Sequence, residues 1–88
     1  MSWEVEYSGD AKKQLKKLDP NQRKLLLLWI ENNLIGCSDP RYLGKALTAD
    51  KSEWWRYRVG KYRILAEIVD KRLLIYVVQI GHHKEVYR

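Results

Sequence analysis

Three arginines in the stretch WWRYRVGKYRI, residues 54–64, are the most chemically suggestive feature of the chain. Apolar and charged residues alternate on both sides of Gly60-Lys61, and a two-residue turn there pairs Val59 with Tyr62, Arg58 with Arg63, Tyr57 with Ile64 and Arg56 with Leu65. Paired residues share a face, so this register gathers Arg56, Arg58 and Arg63 on one side of a sheet together with Trp54. Like charges directly opposite one another destabilise a strand pair. An anion would offset that cost, because guanidinium groups hold phosphate through paired hydrogen bonds and Trp54 offers a surface on which a base stacks. The plainer alternative is that long arginine side chains lie over a solvated sheet face.

The tail GHHKEVYR adds groups that move protons. As a helical turn it places His83 and Tyr87 on one face, and likewise Lys84 and Arg88, by i to i+4 spacing. Cleavage of RNA by its own 2′-OH requires a base for that hydroxyl, cations for the charge developing on phosphorus and an acid for the leaving 5′-oxygen. Histidine, which titrates near neutrality, and arginine or lysine meet those needs without a metal. Taken alone, a terminal His-His pair is also what solvent-exposed bystanders look like. His82 and His83 are the only histidines and Cys37 the only cysteine, so no metal-ligand spacing and no internal disulfide is expected. No cofactor is expected either.

Composition supports an anionic partner. The chain of 88 residues carries a net charge of +6, of which residues 1–50 hold only +1 and the aromatic-rich residues 51–88 hold +5. Such asymmetry points to a polyanion, most often nucleic acid, or else to a solubilising surface. The length fits one small domain, residues 1–88, with room for a single core. No segment approaches the ~20 apolar residues of a membrane span. The opening MSWEVEY carries two acids and lacks the basic region of a signal peptide, so a cytoplasmic protein is expected.

The elements that must position the arginines are readable from pattern. WEVEY, residues 3–7, alternates as a strand with Trp3, Val5 and Tyr7 on one face. Ser8 or Asp10 can cap a basic amphipathic helix whose Ala11, Leu15 and Leu18 face inward. Asp19-Pro20 then caps and opens a second helix that runs to about Ile35 and stops at Gly36, giving a helical hairpin. LLLLWI leaves this second helix apolar nearly all round. Either it lies between the first helix and the sheet, or it keeps an exposed strip for a protein partner. Residues 36–53 read as a loop with a short strand near Lys45–Leu47. Strands at about 54–59, 62–70 and 72–80, separated by two-residue turns at Gly60-Lys61 and Asp70-Lys71, make an antiparallel meander. The whole is an α+β fold, with an N-terminal strand, a two-helix hairpin, a three-stranded meander and a short C-terminal tail or helix. The helices cover the sheet face formed by Trp55, Tyr57, Val59, Ile64, Ala66 and Ile68 with Leu73, Ile75 and Val77.

The run LGKALTADKSEWWRYRVGKYRILAEIVDKRLLIYVVQIGHHKEVYR closely resembles the RelE toxins of bacterial toxin-antitoxin systems, within the RelE/ParE superfamily, and KKLDP at the helical turn is similar too. The resemblance implies a ribosome-dependent, metal-independent mRNA endonuclease that enters the ribosomal A site, touches rRNA through its basic surface, and is neutralised by a RelB-like antitoxin protein. It carries roles onto particular residues. Arg56 and Arg58 match the basic pair before the turn, Arg63 the transition-state arginine, Tyr87 the C-terminal tyrosine that orients or deprotonates the nucleophile, and His82 the histidine of a common G-H-R. His83 stands where the family usually has arginine as acid, so His83 itself or Lys84 has to take that part. The resemblance thus implies a catalytic set of Arg56, Arg58, Arg63, His83 and Tyr87, with Trp54, Lys45, Lys61, His82, Lys84 and Arg88 binding substrate. The alternatives are the ParE branch, which inhibits DNA gyrase on the same fold and whose members generally lack the terminal tyrosine and the dense basic face, and a RelE-like protein weakened in catalysis by His83.

Overall fold

The computed structural model describes residues 2–48 and 51–82. Its elements are β1 (Glu4–Tyr7), α1 (Gly9–Lys17), α2 (Pro20–Asn33), β2 (Lys45–Thr48), β3 (Lys51–Val59), β4 (Tyr62–Val69), a short 3₁₀ turn (Asp70–Arg72) and β5 (Leu74–His82). The strands form one five-stranded sheet in the order β1-β5-β4-β3-β2, parallel between β1 and β5 and antiparallel elsewhere. The α+β class read from the sequence holds, and the meander is extended by β2 on one side and β1 on the other. No described helix is long and apolar enough to cross a membrane.

Local chemistry sets the helix boundaries. Ser8 is the N-cap of α1, its Oγ accepting from the Ala11 amide at 3.0 Å. Asp19 caps α2 by accepting from the Asn21 amide at 3.0 Å, with Pro20 at the first helical position where a missing N–H costs nothing. Helix α2 ends at Asn33, and Gly36 beyond it takes the left-handed conformation with φ +77°. Ala11 and Leu15 of α1, Leu26 and Ile30 of α2 and the following Leu34 are buried against Tyr57, Val59, Ile64, Ala66, Ile68, Ile75, Val77 and Ile80 of the sheet. Leu25 and Leu28 on α2 remain 53% and 44% exposed, so the chain's own fold leaves an apolar strip on this helix uncovered.

Two features of β5 correct the strand reading. The β4–β5 connection is not a two-residue turn, since Val69 pairs with Leu74 and the 3₁₀ turn ends on Leu73 in the left-handed region at φ 49°. Leu73 therefore belongs to the turn and packs against the core from there. Further along, the register shifts between Leu65 and Ala66, which pair with Gln79 and Val77, so Val78 is an extra residue on β5. Such a bulge reverses the alternation of faces. Ile75 and Val77 face the core before it, and Ile80 does so after it.

The bulge is held by α1. Strand β1 stops at Tyr7, level with Val77, and past that point α1 serves the β5 edge. The Ser8 hydroxyl donates to the Val78 carbonyl at 2.6 Å, and Gln14 Oε1 accepts from the Ile80 amide at 2.6 Å. Ser8 thus satisfies a helix end and a strand irregularity with one oxygen. Ser8→Ala is expected to cost about 1–2 kcal/mol, read as a thermal midpoint lowered by roughly 5–15 °C. An unchanged midpoint would show that neither bond matters to stability.

Candidate nucleic-acid interface

The β3–β4 hairpin sets the cationic residues. Its turn has the two residues expected, with Gly60 at φ +60° as the first of them, the arrangement of a type II′ turn. The observed pairs are Val59 with Tyr62, Arg58 with Arg63, Tyr57 with Ile64 and Arg56 with Leu65. Tyr57 and Ile64 are fully buried, which fixes the parity and sends Arg56, Arg58 and Arg63 to the face away from the core. Lys45 pairs with Arg56 across the β2–β3 ladder and joins the same face. On the other flank, Arg63 pairs with Gly81 of β5, which has no side chain to cover it.

These four cations line a cavity of about 530 Å³. Its remaining wall is Trp29 and Asn33 of α2, Leu43 and Gly44 of the preceding loop, and Tyr57. The cavity therefore reaches from the arginine face to the helix side of the sheet. The geometry of β2 explains this. That strand begins at Lys45, opposite Arg56, so among the described residues β3 has no strand partner on this edge from Tyr57 onward. Gly44, at φ +79°, turns the chain off the sheet at that point.

Several bonds fix the wall. The Tyr57 hydroxyl donates to the Pro40 carbonyl, and Trp55 Nε1 donates to the Leu43 carbonyl at 2.7 Å. Arg41 Nη1 and Nη2 donate to the two carboxylate oxygens of Asp70 at 2.8 and 3.0 Å, and its guanidinium carbon lies 5.8 Å from the Trp55 ring centre. The hydrogen bonds from Arg41 hold the Asp70 carboxyl below its ordinary pKa. Burial pushes the Tyr57 phenol far above its ordinary value, so at neutral pH it is a fixed donor to Pro40 and not a base, although it borders the arginines.

The structure sorts the expected site residues into groups. Arg56, Arg58, Arg63 and Lys45 meet at the cavity. Trp54 shares their face, opposite Glu67, but does not line the cavity, and Lys61 stands exposed in the hairpin turn. His82 is not with the arginines. It pairs with Tyr62, the neighbour of Val59 on the core side, and the two rings meet edge to face at 6.1 Å. The bulge at Val78 is the reason, because unbroken alternation through Ile75 and Val77 would have sent residue 82 to the arginine face. His83, Lys84, Tyr87 and Arg88, and with them the expected C-terminal helix, lie outside the described residues. The pattern of the sequence did not point to Trp29, Asn33, Leu43 or Gly44, whose place depends on how α2 and the loop pack beside β3.

A cavity with four fixed cations, a tryptophan and an amide side chain suits a phosphodiester with its base. Comparison with known proteins agrees with this fold. A family model described as the ParE toxin of the type II toxin-antitoxin system parDE matches residues 5–87. Among solved structures, the toxin-antitoxin complex RelBE2 of Mycobacterium tuberculosis is similar at a TM-score of 0.81 and 22% identity, over 97% of this chain and 95% of that one. A mutant of the E. coli toxin RelE in the free state aligns at a TM-score of 0.78 and 18% identity, over 98% and 88%. The RelB-RelE antitoxin-toxin complex from Methanococcus jannaschii aligns at 0.65 and 26%, over 92% and 93%. A search of curated protein sequences gives no match.

Proposed function

Because the chain belongs to the RelE/ParE superfamily of type II toxin-antitoxin toxins, we propose that it is the toxin of such a pair and acts in the cytoplasm as a metal-independent endonuclease on mRNA in the ribosomal A site. The observation that carries this reading is the convergence of Lys45, Arg56, Arg58 and Arg63 on one cavity. Three guanidinium groups placed around a phosphate stabilise the charge that grows on its oxygens as the reaction proceeds. The 2′-oxygen forms a bond to phosphorus while the bond to the 5′-oxygen breaks, leaving a 2′,3′-cyclic phosphate and a 5′-hydroxyl. Tyr87, acting as its phenolate, takes the proton of the 2′-OH, and His83 or Lys84, starting protonated, gives a proton to the 5′-oxygen.

Primer extension on mRNA from translating ribosomes exposed to the purified protein tests this, beside an Arg63→Ala, Tyr87→Ala double variant. Discrete in-frame cuts that vanish in the variant are expected. The description of the matching family as ParE favours one second reading, inhibition of DNA gyrase by protein contact. Growth arrest with intact mRNA would replace the first reading by that one.

The neighbouring RelBE2 and M. jannaschii structures are complexes with an antitoxin. We place the partner of this chain, an acidic RelB-like antitoxin, with an amphipathic helix on the uncovered strip of α2, where Leu27 and Leu28 flank a groove bordered by Arg23 and Lys24. Leu28→Asp is expected to weaken the complex at least about tenfold in a binding titration. An unchanged affinity would put the antitoxin elsewhere.

A further inference from the structure

The four cations account for only half of the cavity. The rest is built by Trp29 and Asn33 of α2 with Leu43, Gly44 and Tyr57, and the proposed cleavage makes no use of these α2 side chains. Trp29 is half-buried, with its ring 5.7 Å from that of Tyr57 and tilted by 55°. The Tyr57 ring is itself immobilised by burial and by the bond to Pro40, so the indole is braced from behind. One turn further along the helix, Asn33 Nδ2 donates to the Trp29 carbonyl at 2.9 Å. An amide has a second N–H and an oxygen acceptor besides, and among the described residues Asn33 uses neither in a side-chain hydrogen bond. A rigid aromatic ring and an oriented amide, facing the same space as three arginines, are the parts of a base-binding site.

Resting on the endonuclease reading, we propose that Trp29 and Asn33 form a nucleobase pocket. It takes the base adjoining the phosphate held by Arg56, Arg58 and Arg63, and it favours adenine. The cavity volume, about 530 Å³, lies within the range of small-molecule sites, so base and phosphate are held together. Adenine follows from the amide. The remaining Asn33 N–H can donate to a purine N7 while Oδ1 accepts from the adenine amino group, whereas guanine would set its own carbonyl oxygen against Oδ1. Trp29 supplies stacking, which every base can use, and Asn33 supplies the discrimination. Specificity in this chain thus comes from a helix on the far side of the sheet edge from the cations that hold the phosphate.

The test uses short RNA with 2′-O-methyl riboses, which cannot be cut by 2′-OH attack, and the purified full chain. Four oligonucleotides differ at one position, which carries adenine, guanine, uracil or no base. The adenine form is expected to bind at least about fivefold more tightly than the abasic form and more tightly than the guanine form. Asn33→Ala should erase the difference between adenine and guanine, and Trp29→Leu should bring all base-bearing forms toward the abasic affinity. Asn33 is the last residue of α2 and only half-buried, so its variant remains informative if Trp29→Leu does not fold. Binding that ignores the base, or a preference that survives Asn33→Ala, overturns the pocket. The ribosome experiment judges the parent reading separately. Cleaved mRNA with base-blind binding removes the pocket alone, and base-dependent binding with intact mRNA keeps the pocket and removes the nuclease.

Discussion

Arg63→Ala is expected to slow mRNA cleavage on translating ribosomes by about 10²- to 10³-fold, the usual loss when one preorganised donor to a developing oxyanion is removed. The same variant should change stability by no more than about 1 kcal/mol, because it removes the charge directly opposite Arg58, a pairing that costs stability, together with the bond that Arg63 Nη1 donates to the Tyr62 carbonyl at 3.5 Å. Arg63→Lys should recover only part of the rate, because an ammonium cannot form the paired hydrogen bonds of a guanidinium. Cleavage rates and thermal midpoints measured on the same preparations check both statements. A cleavage rate within threefold of the parent would exclude Arg63 from the reaction.

Gly44→Ala is expected to be the most destabilising small substitution near the site. Residue 44 has φ +79°, and a Cβ there would collide with the Arg56 carbonyl oxygen and come within 2.9 Å of both Trp55 Nε1 and Tyr57 Cδ1. Backbone cannot swing aside as a side-chain end can. Left-handed strain of about 1–2 kcal/mol and overpacking of about 1–3 kcal/mol together suggest a loss of about 2–5 kcal/mol, or roughly 10–30 °C in thermal midpoint. Gly36→Ala is the control, since Gly36 shares the positive φ, at +77°, but has nothing within 4 Å of the added carbon. The difference between the two variants isolates the close approach. Equal losses would mean that the loop does not press on β3 as described. Because Lys45 follows directly and β2 begins there, the shift should also widen the cavity wall and reduce nucleic-acid affinity.

What could be read from the sequence was local. Asp19-Pro20 and Gly60-Lys61 fix their own geometry through a cap, a ring and a glycine, so the helical hairpin and the arginine register follow from neighbours a few residues apart. Trp55 belongs by alternation to the core set but is only half-buried, lying beneath Arg41 at the margin of the sheet. The turn after β4 departs from the two-residue pattern at Asp70-Lys71 because no glycine or asparagine marks its left-handed residue, a role that Leu73 takes. The bulge at Val78 carries no local mark at all. Its backbone is satisfied by Ser8 and Gln14, so it depends on residues far along the chain, and with it goes the placement of His82. The same holds for Trp29 and Asn33, which reach the cavity only because β2 stops short of Tyr57.

The parallel pairing of β1 with β5 has a consequence for assembly. The bond from Ser8 to Val78 spans 70 positions of the chain, and among the described residues β1 has no strand neighbour other than β5. While the protein is being synthesised, the first strand and the cap of α1 wait for the last strand of the sheet, and contacts of such long range form slowly. The β3–β4 hairpin with its arginines can form early, but the core that immobilises it closes only when β5 arrives. A chain built in this order completes the sheet around its cations only after β5 has emerged and paired with β4, so the cavity is among the last features of the described fold to form.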